Sequence, residues 1–137
     1  MYRNGFTVVE LLVVIAIIGI LTSVILGSLR DARDDGLAAK IKSELVLLGK
    51  RASVDESKNF TFDAVCGSNG VSTSTEIMNL ITSIERFSPF KVVCNSESMM
   101  YAVSAAMSST TYWCVDSKNQ SKEVPALLTA GVDYACP

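Results

Sequence analysis

Nineteen consecutive uncharged residues, Leu11–Leu29, follow directly on Glu10 and end at Arg30. This stretch, LLVVIAIIGILTSVILGSL, constrains the chain more than any other feature. At 1.5 Å per residue a helix of that length covers roughly 28 Å, close to the hydrocarbon thickness of a bilayer. A secretory signal needs an apolar core of only about 7–15 residues, followed by a small-x-small cleavage site. TSVILGSLRD offers a poor site around Leu26–Ser28, so the spacing predicts a membrane-spanning helix rather than a cleaved signal. The chain has 137 residues, 49% of them hydrophobic and 19% charged, which leaves room for one modest globular domain beyond the span. Its formal net charge of −2 gives no bulk electrostatic reason to expect nucleic acid or anionic lipid as the main partner. Histidine is absent, which excludes Ser-His-Asp and Cys-His nucleophilic machinery, His-ligated zinc and imidazole acid–base work.

Glu10 is the exception inside this apolar region. It lies four residues into the block that opens at Phe6, and a carboxylate at membrane depth costs about 2.5–3.5 kcal/mol at the helix centre and less near the interface. In an uncut chain the residue sits in the headgroup layer. If the chain is cut between Gly5 and Phe6, the new α-amino group of Phe6 stands within one helical turn of Glu10. It then pairs with that carboxylate or with the carboxylate of a neighbouring copy.

These residues carry a family resemblance. The segment RNGFTVVELLVVIAIIGILTSVILGSL, Arg3–Leu29, resembles the amino terminus of type IV pilins and of the related pseudopilins of type II secretion and DNA-uptake systems. It has a short basic leader ending in Gly5, Phe6 as first mature residue, Glu10 four positions later and the IAIIGIL run. The resemblance implies cleavage after Gly5 by a prepilin peptidase, N-methylation of Phe6, and Glu10 pairing with the amine of an adjacent subunit. It also implies a pilus assembly platform in the inner membrane, and other copies of the chain, as partners. The protein would be held in the cytoplasmic membrane before assembly and in an extracellular filament afterwards. Two positions depart from the common pattern: Asn4 separates Arg3 from Gly5, and Gly27 stands where many members have proline. Gly19 and Gly27 read equally as close-packing sites between helices or as a stretch that can lose helical hydrogen bonds in a filament.

After Arg30 the helical period continues, with Leu37, Ile41, Leu45, Leu48 and Ala52 on one stripe. One helix is therefore predicted from about Phe6 to about Val54, apolar in front and amphipathic behind. Lys40, Lys42, Glu44, Lys50, Arg51 and Asp55 read as its solvated face. From Glu56 a polar, glycine-containing stretch predicts a loop of extended segments. A second helix follows: Thr73 and Glu76 form a capping-box pattern, Ile77, Leu80, Ile81 and Ile84 trace an apolar face, and Pro89 bars continuation. FKVVC, SMMYAVSAAM and TTYWCVDS read as strands, separated by polar turns at Asn95–Glu97 and Ser108–Thr110. Trp113 is expected in the core and Tyr112 on the other strand face. The predicted fold is α+β: a long amino-terminal helix on a small antiparallel sheet, with a second short helix, in a pilin-like arrangement. Its parts are a leader (1–5), a membrane and filament-core helix (6–29) and an exported domain (30–137).

Cys66, Cys94, Cys114 and Cys136 all fall in the outer part, with no C-x-x-C pair. Zinc sites commonly come as two close pairs, so two disulfides on an exported domain are the expectation, and no metal or cofactor is assigned. Three connectivities are open; Cys66 with Cys94 and Cys114 with Cys136 would clamp the loop plus second helix, and the tail, separately. Asp116, Asn119 and Glu123 match no calcium loop and read as a solvated turn. Asn59 and Asn119 each open a glycosylation sequon, a pattern short enough to arise by chance. The expected function is a structural, non-enzymatic filament subunit serving adhesion, motility or DNA uptake. The alternatives are a type II secretion pseudopilin and, from a different class, an unprocessed single-span binding module that would retain Met1–Gly5. An exported enzyme is disfavoured because no nucleophile-and-base motif accompanies the missing histidine.

Overall fold

The computed structural model describes residues 5–137. The predicted leader's residues 1–4, with its one cation Arg3, lie outside the described residues. The first element, α1 (Val8–Asn59), is a single helix of 52 residues. It starts two residues later than the apolar block because Thr7 caps it: the Glu10 N–H donates to Thr7 Oγ1 (3.3 Å), while Glu10 Oε2 accepts from Thr7 N–H (2.9 Å). This reciprocal pair is a capping box. The helix runs past the predicted end at Val54 because Asp55 is buried beside Arg51 (3.4 Å) and keeps the next turn helical. It stops at Phe60, whose φ of 60° is a conformation a bulky residue cannot propagate.

The chain divides into two compact units, one ending at Asp35 and one spanning Gly36–Pro137. Described by itself, the first is helix without a core: from Phe6 to Leu29 sixteen large apolar side chains are exposed. Its internal polar residues are satisfied on the helix itself. Thr22 Oγ1 donates to the Ile18 carbonyl (2.7 Å) and Ser23 Oγ to that of Ile20 (2.8 Å).

The second unit holds the rear of α1, then α2 (Asp63–Cys66), α3 (Thr75–Glu85) and strands β1 (Val93–Glu97), β2 (Met100–Ala106), β3 (Tyr112–Asp116) and β4 (Ser121–Val124). The strands form an antiparallel sheet in the order β1-β2-β3-β4. Alternation along β2 builds two cores. Tyr101, Val103 and Ala105 pack with Ile41, Leu45 and Leu48 of α1 and with Ile77 and Ile84 of α3. On the opposite face Ala102 packs with Cys114, Val124, Leu128 and Cys136. The disulfides are Cys66–Cys94, tying α2 to β1, and Cys114–Cys136, tying β3 to the carboxy-terminal tail.

Several expectations are corrected. The turn predicted at Asn95–Glu97 lies within β1, because Asn95 works as a bracket for the tail: its Nδ2 donates to the carbonyls of Thr129 (2.9 Å) and Asp133 (2.7 Å), and its Oδ1 accepts from Gly131 N–H (2.8 Å). Part of the predicted solvated turn after Asp116 is β4, paired with β3 through Trp113↔Glu123 and Cys114↔Lys122. Within the predicted loop, α2 forms around the buried Asp63. The capping box at Thr73 and Glu76 is absent: Ser74 is the N-cap, without a side-chain hydrogen bond, and Glu76 turns to Arg51 Nη2 instead (3.1 Å). Trp113 is half-buried, with Lys42 Nζ 4.5 Å from its ring centroid and its indole N–H on Ser121 Oγ (3.0 Å). The charges of α1 are likewise not simply solvated. Lys40 stands 3.7 Å over the Phe87 ring, and Glu44 Oε1 accepts from Ser83 Oγ (2.9 Å).

Candidate assembly site on the amino-terminal helix

Of the residues singled out by sequence, Gly5, Phe6 and Glu10 fall at and just before the start of α1, Gly19 and Gly27 farther along it, and the four cysteines in the second unit. Gly5 and Phe6 lie in non-helical backbone immediately ahead of Val8, and both are exposed, Phe6 at 83%. The peptide bond between them is therefore accessible and lies outside the helix. One turn on, Glu10 is held by Thr7: Oε2 accepts both the backbone N–H (2.9 Å) and the hydroxyl (2.8 Å). One carboxylate oxygen takes both bonds, which leaves Oε1 for a further donor. Sequence reasoning missed Thr7, although T-x-x-E ahead of an apolar run was the readable signal.

Gly19 and Gly27 lie on the exposed helix, and a Cβ built on either would meet nothing within 4 Å. The chain's own packing does not require glycine there, and each costs the helix about 1 kcal/mol relative to alanine. Both positions therefore leave the helix backbone uncovered on that side. The surrounding side chains make the same point quantitatively. Burial of a large apolar side chain contributes about 1.5–3 kcal/mol, so the sixteen exposed ones leave on the order of 30 kcal/mol unrealised, more than the whole stability of an ordinary domain. The helix is long and apolar enough to cross a membrane, and lipid or other apolar helices would supply the missing burial.

In the second unit the four cysteines are paired, as described above. Asp116, 2% exposed, directs its oxygens at backbone: Oδ1 accepts from the N–H groups of Lys118 (2.9 Å) and Gln120 (3.0 Å), and Oδ2 from that of Cys136 (3.0 Å). It closes the β3–β4 turn and fixes the tail. Asp63 accepts from Ser68 (2.8 Å), Asn69 (2.8 Å) and Thr61 (2.9 Å). The Ser68 hydroxyl, with Thr61, Asn69 and Ser98, holds its carboxyl below the usual carboxylate range despite burial. Burial, and secondarily the charge of Asp116, push the Tyr101 phenol up to about 12. These groups do structural work at turns and in the core, and among the described residues no group of three or more His, Cys, Asp or Glu is placed to hold a metal ion.

Comparison of the whole chain with curated proteins and with solved structures returns no match. The amino-terminal segment does find one: a family model described as the prokaryotic N-terminal methylation motif matches residues 1–26, so the chain carries the leader signature of type IV pilins and pseudopilins.

Proposed function

We propose that this protein is the structural subunit of a type IV pilus or pilus-like surface filament. Residues 1–5 are the leader removed by a prepilin peptidase after Gly5. Residues 6–29 hold the chain in the cytoplasmic membrane and later form the filament core, and residues 30–137 are the exported domain. The carrying observation is that the methylation motif coincides with the front of a helix whose large apolar side chains are exposed from Val8 to Leu29. Removal from lipid by the assembly platform is tolerated because neighbouring apolar helices replace the acyl chains. Gly19 and Gly27 allow those helices to approach closely or to lose local hydrogen bonds.

Glu10 supplies register. Apolar surfaces slide past one another at little cost, whereas a carboxylate in an apolar surround is stable only opposite a cation. Cleavage creates that cation at Phe6, and N-methylation leaves it protonated. The axial offset that satisfies the Glu10 carboxylate and the Phe6 amine of an adjacent copy is then selected over all others. One patch meeting a different patch generates an open fibre. The test is Glu10→Ala. Membrane insertion is expected to be unchanged, while surface filament falls at least about a hundredfold, as the loss of roughly 3 kcal/mol of pairing requires. Wild-type filament levels from this variant would remove Glu10 from the mechanism.

A further inference from the structure

Directly after the apolar run, the sequence RDARDD places five charges in six residues, Arg30–Asp35, all in α1. Every one of them is exposed. Among the described residues no ion pair involves any of them, although Arg30 and Asp34 are one turn apart. The order, cation before anion, is the less favourable one for such a pair in a helix.

The distribution of these charges around the helix is not random. At about 100° per residue, Arg30 and Arg33 lie on one flank while Asp31, Asp34 and Asp35 lie on another, the two centres roughly 120° apart. The collar thus carries two positive charges on one side and three negative charges on the other. An anionic headgroup layer attracts the first flank and repels the second. A second copy of the same helix offers an opposite charge to both.

We infer that this collar is a self-recognition surface, in which Arg30 and Arg33 of one copy dock against Asp31, Asp34 and Asp35 of the next. The inference rests on the filament reading above and adds a second determinant of register to Glu10. The apolar segment carries large side chains all round, and beyond the close approach open at Gly19 and Gly27 it has no directional contact to set its rotation. The two flanks supply one, since each helix must turn its basic side toward a neighbour's acidic side. A contact between unlike flanks repeats from copy to copy without closing.

The test is charge reversal in the full chain, reading sheared surface filament and the membrane-inserted pool separately. Arg30→Glu with Arg33→Glu makes the collar wholly acidic; Asp31→Lys, Asp34→Lys and Asp35→Lys together make it wholly basic. Each set alone is expected to lower filament more than about tenfold with the membrane pool unchanged. The chain with all five reversals, and co-expression of the two single-flank chains, are both expected to restore assembly to within about threefold of wild type. Wild-type filament from either single-flank chain overturns the inference, as does failure of the fully reversed chain to assemble. Loss of the membrane pool assigns the flank to lipid and overturns it as well. Absence of filament from the unaltered chain would instead overturn the filament reading itself, together with everything built on it.

Discussion

Leu21 and Leu45 are the same residue on the same helix, yet Leu21 is 57% exposed and Leu45 fully buried. Leu45 belongs to a core that the chain supplies for itself, with Val103 and Ala105 across from it and Ile77 and Ile84 on α3. Leu21 has only helix around it. The helix up to Asp35 is rich in valine and isoleucine and carries Gly19 and Gly27, none of them strong helix formers; an apolar surround, which offers backbone groups no partner but one another, is what holds it. The unit from Gly36 onward depends on tertiary contacts throughout, and reinforces them with two disulfides. On the filament reading, the difference separates what the molecule needs in order to fold from what it would use in order to assemble. Changes in the second unit are expected to act on stability, and changes in the first to leave it unaltered.

The sharpest way to break that comparison is to truncate both leucines. In detergent-held protein, Leu45→Ala should lower the unfolding free energy of the outer domain by about 3–4 kcal/mol, through lost burial and the cavity left behind. Leu21→Ala should leave it within about 0.5 kcal/mol. Equal effects in urea titrations would mean that the two units unfold as one. Replacing Cys114 and Cys136 by serine should cost about 3 kcal/mol, since a closed loop of 22 residues is released and the tail loses its covalent hold on the second core. A shift in the urea midpoint with membrane insertion unchanged is the expected result.

The smallest effect concerns pH. Because the folded protein holds Asp63 below its unfolded value of 3.8, the unfolded chain binds more protons, and stability rises with pH through that range. The contribution is complete above the unfolded value and disappears as pH falls through the lower folded one. Asp63→Asn should therefore flatten the acid limb of the stability profile below about pH 5 while leaving the first unit's helix unchanged. Circular dichroism of the two proteins over pH 2–6 would show it, and identical acid limbs would remove Asp63 from the account.

How much of this was legible in the sequence follows the same division. The span, the amphipathic stripe from Ile41 to Ala52 and the apolar face of α3 repeat with a helical period, and period is a local property. β2 was legible because Tyr101, Val103 and Ala105 fall on one face of a long apolar run. What escaped was specified across the chain. Ser121–Val124 is a polar run that becomes a strand because β3 offers it an unpaired edge. Asn95 reads as a turn residue, and is a strand residue because the tail folds back onto it. Glu76 reads as a helix cap, and its partner Arg51 is on another helix. Among the site residues, Gly5, Phe6 and Glu10 were legible by position. Thr7, which holds the Glu10 carboxylate through two bonds, escaped although its signal, T-x-x-E, is local and only four residues long.

The central claim is that the first unit is a processed assembly element rather than a fixed anchor, and intact mass tests it directly. The protein is recovered without reduction from the surface fraction of cells that naturally make it. The account predicts a chain that begins at Phe6, carries one added methyl group and lacks four hydrogens for its two disulfides. A chain that still begins at Met1, or one that begins after about Ser28, would contradict it.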